Sequence, residues 1–358
     1  MARLGDCLTF DRGPEWSNRV ALAPLTNQQS NNDGTLHDDE LRWLAARATG
    51  GFATVMTGAA HVSRAGQAFP GQLGVWSDEF IPGLTRVASS LRERGSRSVL
   101  QLHHGGARAR QELSGVSVRA PWTDVDRNVL ALSPEEIGHV VGEFAAAAAR
   151  AELAGFDGVE IHGAHGYLLA QFLDKRRNAR ADAYGGSLEN RSRIIFEVLE
   201  AVRSSTSATF QVGLRLSPER YGVELSDSLL VAAETMRSGL IDYLDMSLWD
   251  VSARPKDSAV EATTLLDRFA ALPRGRCKLG VAGKLMSGDL AQECLDAGVD
   301  FVLIGTAGIL HHDFATRVIE DQSFRSIPQP VSGEHLAAQA VGPAFIEYLS
   351  TQWDDFVA

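Results

Sequence analysis

The sequence predicts an α/β protein of the (β/α)8 TIM-barrel class, with one domain over residues 1–358 and an excursion after the third strand. Eight short apolar runs are spread along the chain, nearly all are followed by helical spacing, and polar side chains collect where the runs end. Alternating strands and helices favour a parallel sheet, and eight such units favour a closed barrel over an open sheet. We expect the barrel core at about residues 18–320 and a C-terminal extension at 321–358.

The first three units occupy the N-terminal third of the chain. Their expected strands are 18–25, 51–57 and 97–103, and their expected helices begin near residue 38 and cover 79–94. Residues 104–132 show no strong periodicity. We therefore expect an excursion there that forms a small hairpin or a lid over a pocket.

A complete helix start opens the fourth unit. Ser133-Pro134-Glu135-Glu136 combines an N-cap serine, a proline at the first helical position and a glutamate at the third. This helix should run to about Ala154 and lead into a fourth strand at 158–161. The remaining expected strands are 210–216, 241–247, 278–282 and 301–305. The remaining expected helices begin near 187 and cover 226–238, 260–271, 288–296 and, outside the repeat, 333–349.

The composition narrows the classes of partner. Hydrophobic residues make up 44% and charged residues 22% of the 358, which fits a water-soluble protein with a large core. A net charge of −11 argues against nucleic acid and anionic membrane as partners. No apolar run reaches the ~18 residues that span a bilayer, and the first residues lack the apolar stretch of a signal peptide.

The cysteines point to a reducing compartment. Cys7, Cys277 and Cys294 are an odd number and are spaced too widely for a zinc motif. We therefore expect reduced thiols, a cytoplasmic location and no bound metal.

The stretch from Asp157 to Leu173 carries the strongest chemical signal. The fourth strand ends in His162-Gly-Ala-His165-Gly-Tyr167, where two glycines free the backbone for a sharp turn. Two imidazoles and a phenol are thereby crowded at the C-terminal end of a strand, as a hydrogen-bonding pair and a proton donor. Two plainer interpretations stay open: a satisfied polar cluster, or a weak metal site of the His-x-x-His type.

Other strand ends carry polar groups as well, and binding and catalytic residues of α/β barrels collect there. Gln101 and His103 are two residues apart, so they face the same side of the third strand. Arg215 lies inside the apolar run Val-Gly-Leu-Arg-Leu, where a lone charge is expensive to bury. Its partner is either a neighbouring carboxylate or an anionic ligand. The further strand-end residues are Thr26, Ala59, Ala60 and Ser247.

The seventh and eighth expected strands both end in glycine, at Gly283-Lys284 and Gly305-Thr306. Loops at these two positions of α/β barrels often bind a phosphate through backbone N–H groups. Glycine before a helix is common, so either loop alone says little. Both together predict a phosphate site.

Eight segments of the chain follow the order of a known family. They are Asn18–Thr26, Gly74–Asp78, Leu100–Gly105, Ala154–Tyr167, Asn178–Arg191, Gly213–Pro218, Val281–Gly283 and Phe301–Gly305. With these segments the chain resembles the Old Yellow Enzyme family of FMN-dependent NADH:flavin oxidoreductases and ene-reductases. The resemblance implies that the whole barrel is one FMN-binding domain.

The resemblance also implies how the flavin ring would be held. Pro24, Thr26 and Ala59 would lie along the ring, with Thr26 hydrogen-bonding near N5. Gln101 and Arg215 would hold the pyrimidine edge, and Arg215 would stabilise negative charge on the reduced ring.

Around the FMN phosphate, the resemblance places Gly283, Lys284, Gly305 and Thr306. One departure stands out: the family usually has Gly-Arg after the eighth strand, where this chain has Gly305-Thr306. That arginine normally grips the phosphate. A charge-assisted hydrogen bond contributes ~1.5–3 kcal/mol, so its absence is expected to weaken FMN binding by roughly 10- to 150-fold.

The activity implied by the resemblance is reduction of α,β-unsaturated carbonyl compounds with NAD(P)H. His162 and His165 would bind and polarise the carbonyl oxygen, and Tyr167 would protonate the α-carbon. The chain has no Gly-x-Gly-x-x-Gly fingerprint, and none is required because in this family the nicotinamide stacks on the flavin in the substrate's own site. The implied partners are a small-molecule enone or related electron-poor alkene and, as is common in the family, a second copy in a homodimer.

Thr306 also motivates a second hypothesis. In it, the barrel holds little or no flavin, and His162, His165 and Tyr167 carry out an acid–base isomerisation or cyclisation. Flavin colour in the purified protein would distinguish the two.

Overall fold

A computed structural model describes residues 2–256 and 263–358. The strands are β1 (Val20–Leu22), β2 (Thr54–Met56), β3 (Ala60–His61), β4 (Arg97–His103), β5 (Val118–Ala120), β6 (Val129–Ala131), β7 (Gly158–Gly163), β8 (Gln211–Leu216), β9 (Tyr243–Ser247), β10 (Lys278–Ala282) and β11 (Phe301–Ile304). All are paired in parallel, and β1 pairs with both β2 and β11, which closes the sheet. Eight strands form the barrel, because β3 only extends β4 and β5 pairs only with β6. The predicted (β/α)8 fold is confirmed.

Helices cover the outside of the barrel and extend past its last strand. They are α1 (Asp38–Thr49), α2 (Ile81–Glu93), α3 (Gln111–Ser114), α4 (Pro134–Leu153), α5 (Leu168–Leu173), α6 (Leu188–Ser205), α7 (Leu225–Arg237), α8 (Leu265–Ala270), α9 (Gly288–Asp296), α10 (Thr306–Leu310), α11 (Phe314–Glu320), α12 (Gly333–Ala338) and α13 (Pro343–Gln352). No helix within the described ranges has both the length and the apolar character needed to cross a bilayer.

Local sequence signals explain where α4 begins. The Ser133 hydroxyl accepts from the backbone N–H of Glu136 at 3.1 Å, and the Glu136 carboxylate accepts from the backbone N–H of Ser133 at 2.7 Å. This reciprocal pair satisfies two of the N–H groups that a helix start leaves free. The helix then feeds directly into β7, which carries the histidines.

Aromatic side chains plug the N-terminal end of the barrel. The rings of Trp16, Tyr243 and Phe301 contact one another edge to face, with centroids 5.0–5.7 Å apart. Gly213 and Gly280 leave room for this plug, since a Cβ at either position would lie 2.1 Å from Tyr243 or 2.3 Å from Phe301. Because this end is filled, the space for a ligand lies at the opposite end, where the strands end.

The excursion after β4 differs from the prediction. The strands β5 and β6 within it are parallel, and the expected hairpin is reduced to a single antiparallel bridge between Asp124 and Val129. Arg180 donates to the backbone oxygens of Pro121 and Leu132 and thereby ties this segment to the flank of the barrel. Of residues 104–132, only Arg108 lines the cavity described below, so the segment does not form a lid over it.

Two helix predictions also need adjustment. The helix expected at 333–349 is two helices, α12 and α13, because Pro343 cannot continue a preceding helix and instead begins a new one. The helix expected at 260–271 is observed at Leu265–Ala270, and residues 260–262 of that prediction lie outside the described part of the chain.

Candidate active site

A cavity of about 330 Å³ opens at the C-terminal ends of the barrel strands. It is lined by all the residues to which the resemblance gave a catalytic or cofactor role: Pro24, Thr26, Ala59, Gln101, His162, His165, Tyr167, Arg215, Gly283, Lys284, Gly305 and Thr306. The strand-end residues Ala60 and His103 do not line it. A larger cleft of about 850 Å³ lies on the flank beside Trp122 and Arg180. The guanidinium of Arg180 there is already bonded to Asp182 and to two backbone oxygens, so the smaller cavity is the better candidate.

Two histidines form a hydrogen-bonded chain along the cavity wall. His162 Nδ1 accepts from the backbone N–H of Ala164 at 3.2 Å, so the proton of the neutral ring lies on Nε2. That Nε2 is 3.3 Å from His165 Nδ1, and His165 Nε2 is 2.8 Å from the Ser247 hydroxyl. The chain His162–His165–Ser247 therefore joins the ends of β7 and β9.

Both histidines are neutral at neutral pH. Burial holds the pKa of His162 well below its usual value, and the positive charge of Arg215 lowers it further. Burial also lowers the pKa of His165, with Arg215 and Arg108 adding to the effect. His165 faces the cavity and so keeps some accessible surface, yet protein surrounds its ring. The pair thus offers neutral N–H donors rather than positive charge.

Tyr167 stands beside the histidines. Its ring lies edge to face with His103 at 4.3 Å and with His162 at 5.2 Å between centroids. The guanidinium carbon of Arg108 is 4.4 Å from the ring centroid, and Arg108 also donates to the backbone oxygen of His165 at 2.7 Å. Burial raises the pKa of Tyr167, and Arg108 opposes that rise. The phenol is therefore protonated, and within the described residues its hydroxyl has no hydrogen-bond partner.

Gln101 and Arg215 present nitrogen donors on the inner side of the cavity. Gln101 Nε2 donates to Glu160 at 2.8 Å, and Arg215 donates to the backbone oxygen of Pro24 at 3.2 Å. Arg215 Nε also lies 3.0 Å from a carboxylate oxygen of Asp245, its register partner across β8 and β9. Asp245 is thus the neighbouring carboxylate that the sequence left open, and the guanidinium still lines the cavity.

A glycine rim forms the outer side of the cavity. At Gly283 a Cβ would lie 2.8 Å from the backbone nitrogen of Asp250, so only glycine fits. At Gly305 a Cβ would meet just one atom, of Leu25 at 3.6 Å, so the space beside it is open to a ligand. Lys284 is paired with Asp250 at 3.2 Å.

These features fit the FMN that the sequence resemblance implies. Pro24 and Ala59 supply small apolar surface for a flat ring, Gln101 and Arg215 supply donors for a polar ring edge, and Gly305 leaves room for a phosphate. The metal alternative gains no support, since no cluster of three potential ligands occurs within residues 2–256 and 263–358.

Several cavity residues were not assigned a role from the sequence. Ser247 was recognised only as a strand end, and Trp249 and Tyr221 lie in loops after β9 and β8, where a barrel site draws its residues. Tyr348 and Trp353 come from α13 and the segment after it, and no local pattern shows which face of the barrel a terminal helix covers. Arg108 follows β4, and nothing in the sequence around it indicated a role in the site.

Backbone strain is concentrated at the cavity. Four non-glycine residues that line it have positive φ: His165 (58°), Tyr221 (52°), Trp249 (67°) and Lys284 (50°). Such conformations cost free energy and persist where the surroundings enforce them, most often at functional sites. At His165 the backbone N–H is fixed by the Ser217 hydroxyl at 3.0 Å.

Comparison with known proteins gives one consistent result. The model of the NADH:flavin oxidoreductase / NADH oxidase family matches residues 11–271. The probable NADH-dependent flavin oxidoreductase YqiG of Bacillus subtilis is 34% identical over 323 residues, which cover 87% of this chain and 86% of that protein. An NADPH dehydrogenase of Bacillus subtilis is 31% identical over 331 residues, which cover 88% of this chain and 94% of that protein.

Solved structures agree with the sequence relatives. The Old Yellow Enzyme homologue of Zymomonas mobilis superimposes with a TM-score of 0.81 at 25% identity, over 93% of this chain and 96% of that chain. The barrel fold, the residues that line the cavity and the similar proteins all indicate the same family. The chain belongs to the NADH:flavin oxidoreductase / NADH oxidase family, of the Old Yellow Enzyme type, and is an FMN-dependent oxidoreductase that uses NADH or NADPH as its reductant.

Proposed function

We propose that this protein reduces the carbon–carbon double bond of α,β-unsaturated carbonyl compounds, with Tyr167 as the proton donor. The observation that carries the proposal is the grouping of two neutral imidazoles and a protonated phenol on one cavity wall. FMN supplies the hydride when bound, and the protein must polarise the carbonyl and deliver the proton.

The flavin ring would lie on Pro24, Thr26 and Ala59, with its polar edge toward Gln101 and Arg215. This orientation follows from the donors, which lie on the inner side of the cavity. The phosphate would lie at the glycine rim, among Gly283, Lys284, Gly305 and Thr306. The rim supports this placement because it combines the open space at Gly305 with a cation at Lys284.

His162 and His165 would bind the substrate's carbonyl oxygen. His162 carries its proton on Nε2, which lies 3.3 Å from His165 Nδ1 and would turn to the substrate oxygen once that Nδ1 no longer accepts it. His165 presents Nδ1–H when the Ser247 hydroxyl donates to its Nε2, which a hydroxyl can do as readily as accept. Two N–H donors would then converge on one oxygen and stabilise the enolate charge that builds there during hydride addition.

Tyr167 would then protonate the α-carbon. Its hydroxyl is uncommitted within the described chain, and the neighbouring Arg108 guanidinium stabilises the negative charge that the phenol acquires as its proton leaves. Proton transfer by a positioned acid typically contributes about 10²–10⁴-fold to the rate.

The nicotinamide and the alkene would use the same cavity in turn. The cavity lies at the strand ends, and aromatic side chains fill the opposite end of the barrel. We expect ping-pong kinetics, in which the oxidised nicotinamide leaves before the alkene binds.

The acid–base alternative without flavin rested on Thr306 alone. The remaining predicted cofactor residues line the cavity, and the family is flavin-dependent, so reduction with FMN is the better-supported function. The homodimer, the cytoplasmic location and the single-domain organisation stay predictions.

A direct experiment tests the proposal. The protein is loaded with FMN, reduced anaerobically with one equivalent of NADPH, and then mixed with 2-cyclohexen-1-one while the flavin absorbance is followed. We expect the colour to bleach and then to return as cyclohexanone forms. Reduced protein that regains its colour with oxygen but with none of a panel of enones, enals and nitroalkenes would overturn the proposal.

A further inference from the structure

A buried cluster of ionisable groups lies beneath Gln101 and Arg215, the two donors on the inner side of the cavity. Glu160, on β7, and Asp245, on β9, are both fully buried inside the barrel. Glu160 accepts from Gln101 at 2.8 Å, and Asp245 lies 3.0 Å from Arg215 Nε. Each carboxyl group therefore contacts one of the two side chains that face the flavin site.

The formal charges of the cluster do not balance. Two carboxyl groups share one guanidinium, and within the described residues the second oxygen of Glu160 and both oxygens of Asp245 have no hydrogen-bond donor. An ionised carboxylate in an apolar interior is costly unless it is paired and hydrogen-bonded. One of the two groups must therefore hold a proton under most conditions.

The surroundings decide which group holds it. Burial, and then the charge of Asp245, raises the pKa of Glu160 to about 8, and Arg215 lowers it only in part. Burial raises the pKa of Asp245 to about 6 in spite of Arg215. At neutral pH Glu160 is protonated, Asp245 is ionised, and Arg215 is neutralised by Asp245.

Among residues 2–256 and 263–358, no other group in reach supplies a second positive charge. Tyr243 lies beside the pair on β9, with its hydroxyl unpartnered in the described chain and its pKa raised well above the usual value by burial. Asp242, which also acts on Tyr243, is paired with Arg12 and Arg203 at the other end of the barrel. His162 is neutral.

We propose that Glu160 and Asp245 form a redox-linked proton acceptor: the pair binds one proton from solvent when the FMN beside Gln101 and Arg215 is reduced, and releases it on re-oxidation. This inference rests on the proposed placement of the flavin edge at Gln101 and Arg215. The pair acts through those two side chains, so both carboxyl groups are positioning residues.

Electrostatics gives the reason for the coupling. Reduction brings negative charge to the cavity edge, where Arg215 is already neutralised. A proton on Asp245 cancels that carboxylate's charge and leaves the Arg215 guanidinium to face the new negative charge. Two electrons and one proton arrive as the hydride of NAD(P)H, and the additional proton forms an O–H bond on the pair. When the hydride passes to the alkene, that O–H bond breaks and the proton returns to solvent.

The first test measures proton uptake by the wild-type holoenzyme. FMN-loaded protein is reduced anaerobically with NADH in weak buffer that contains a pH indicator dye. On reduction at pH 7.5, we expect the protein to take up about one proton per FMN more than it does at pH 5.5. At pH 5.5 the pair is already protonated and cannot accept another proton. Proton binding by the cofactor itself has the opposite dependence and grows as the pH falls. Uptake that only grows toward low pH would overturn the inference.

The second test measures the midpoint potential of the bound flavin between pH 5.5 and 9. For a two-electron couple each coupled proton adds about 29.6 mV per pH unit to the slope. Above about pH 6, we expect the slope of wild type to exceed that of the Glu160→Gln/Asp245→Asn double variant by about this amount.

Matched variants keep the second test decisive. The single variants Glu160→Gln and Asp245→Asn each retain one carboxyl group, and each should lose part of the additional slope. Glu143→Gln is the control: burial raises the pKa of Glu143 to about 7, yet its carboxyl group does not line the cavity. Its slope should equal that of wild type. Equal slopes in all variants would overturn the inference, whereas failure to bind FMN or to accept electrons from NADH would instead contradict the proposed function.

Discussion

The Ser247 hydroxyl lies 2.8 Å from Nε2 of His165 and thereby controls which nitrogen of that ring carries the proton. When Ser247 accepts, His165 Nδ1 is an acceptor and takes the Nε2–H of His162 at 3.3 Å. When Ser247 donates, His165 Nδ1 carries a proton and becomes a second donor beside His162. Rotation of the hydroxyl, together with the change of His165 tautomer in which the ring proton moves from Nε2 to Nδ1, thus converts a closed histidine pair into a site for a carbonyl or phenolate oxygen.

Replacement of Ser247 by alanine should weaken the binding of phenolic ligands. The variant removes the donor that favours Nδ1–H on His165, so one hydrogen bond to the ligand oxygen becomes weaker. A net hydrogen bond contributes ~0.5–1.5 kcal/mol, which corresponds to roughly 2- to 13-fold in Kd. An absorbance titration of FMN-loaded protein with 4-hydroxybenzaldehyde measures this change. Ser247→Thr keeps the hydroxyl and should bind as wild type does, and equal Kd values for both variants would remove Ser247 from this role.

Replacement of Tyr167 by phenylalanine should separate the two half-reactions. Re-oxidation by an enone should slow by about 10²–10⁴-fold, because the positioned acid is lost. Reduction by NADPH needs no proton from Tyr167 and should stay close to the wild-type rate. Anaerobic stopped-flow absorbance at the flavin band follows each half-reaction by itself.

Tyr348→Phe is the matched control for that experiment. Tyr348 is a second tyrosine of the same cavity that reaches it from α13, and within the described residues it has no hydrogen bond or ring contact with His162 or His165. It acts on Tyr167 only electrostatically, by an effect on the pKa of Tyr167 that ranks behind burial and Arg108. Its loss of a hydroxyl should leave both half-reactions nearly unchanged. If Tyr167→Phe slowed reduction and re-oxidation equally, another group would have to be the proton donor.

Most of the site could be predicted because it is assembled from strand ends. The predicted side chains lie in the last residues of strands or just after them, and in a parallel barrel all such ends meet at one face. Residues as distant in sequence as Thr26 and Thr306 therefore had to line one cavity once eight strands had been recognised. The Arg215–Asp245 pair followed less directly, since strand register determines which carboxylate faces the guanidinium.

The residues that could not be predicted depend on packing between distant segments. Trp353 reaches the cavity only because α13 docks on the barrel, where Phe345 packs against Trp43 of α1 with ring centroids 5.1 Å apart. The parallel pairing of β5 with β6 likewise depends on the anchoring of the excursion by Arg180, which lies 48 residues from Leu132 along the chain. Neither relationship leaves a periodic pattern in the sequence.

Introduction of arginine at position 306 should tighten FMN binding. Thr306 lies on the rim beside Gly305, and the added guanidinium would meet the phosphate with a charge-assisted hydrogen bond of ~1.5–3 kcal/mol. The expected decrease in Kd is roughly 10- to 150-fold, measured by quenching of FMN fluorescence on titration with apoprotein. Thr306→Met adds length without charge and should not tighten binding. An unchanged Kd in Thr306→Arg would place the phosphate elsewhere.

Acidification should destabilise the fold through buried histidines. Burial lowers the pKa of His61 and His104 from 6.5 to about 4 in the native state. Between these values the unfolded chain binds more protons than the native state, so the free energy of unfolding falls as the pH decreases from 6.5 toward 4. At pH 5 each of the two should cost about 2 kcal/mol of stability relative to pH 7.

Urea unfolding between pH 7 and 5 measures that dependence. His104→Gln should flatten the decrease in unfolding free energy by about 2 kcal/mol at pH 5, whatever its effect on absolute stability. His139→Gln, at an exposed position on α4, serves as the comparison for loss of a surface imidazole. A His104→Gln curve parallel to wild type would show that His104 does not contribute to acid sensitivity.

Removal of the Trp353 side chain should broaden the range of substrates. Trp353 lines the cavity from the C-terminal segment and packs against Phe356 with ring centroids 5.3 Å apart. Trp353→Ala would open the mouth of the cavity without touching the flavin contacts, so FMN affinity should not change. Contacts in an apolar pocket contribute about 1–3 kcal/mol to discrimination. The ratio of kcat/KM for 3-phenyl-2-cyclohexen-1-one to that for 2-cyclohexen-1-one should accordingly rise by about 10-fold or more.

Trp122→Ala provides the comparison, since Trp122 lies on the flank near Arg177 and outside the cavity. It should leave the substrate ratio unchanged. If Trp353→Ala also left the ratio unchanged, the C-terminal segment would lie outside the path of the substrate. Selectivity would then depend on Tyr221 and Trp249, which reach the cavity from the loops after β8 and β9. Their ring centroids lie 6.4 Å apart.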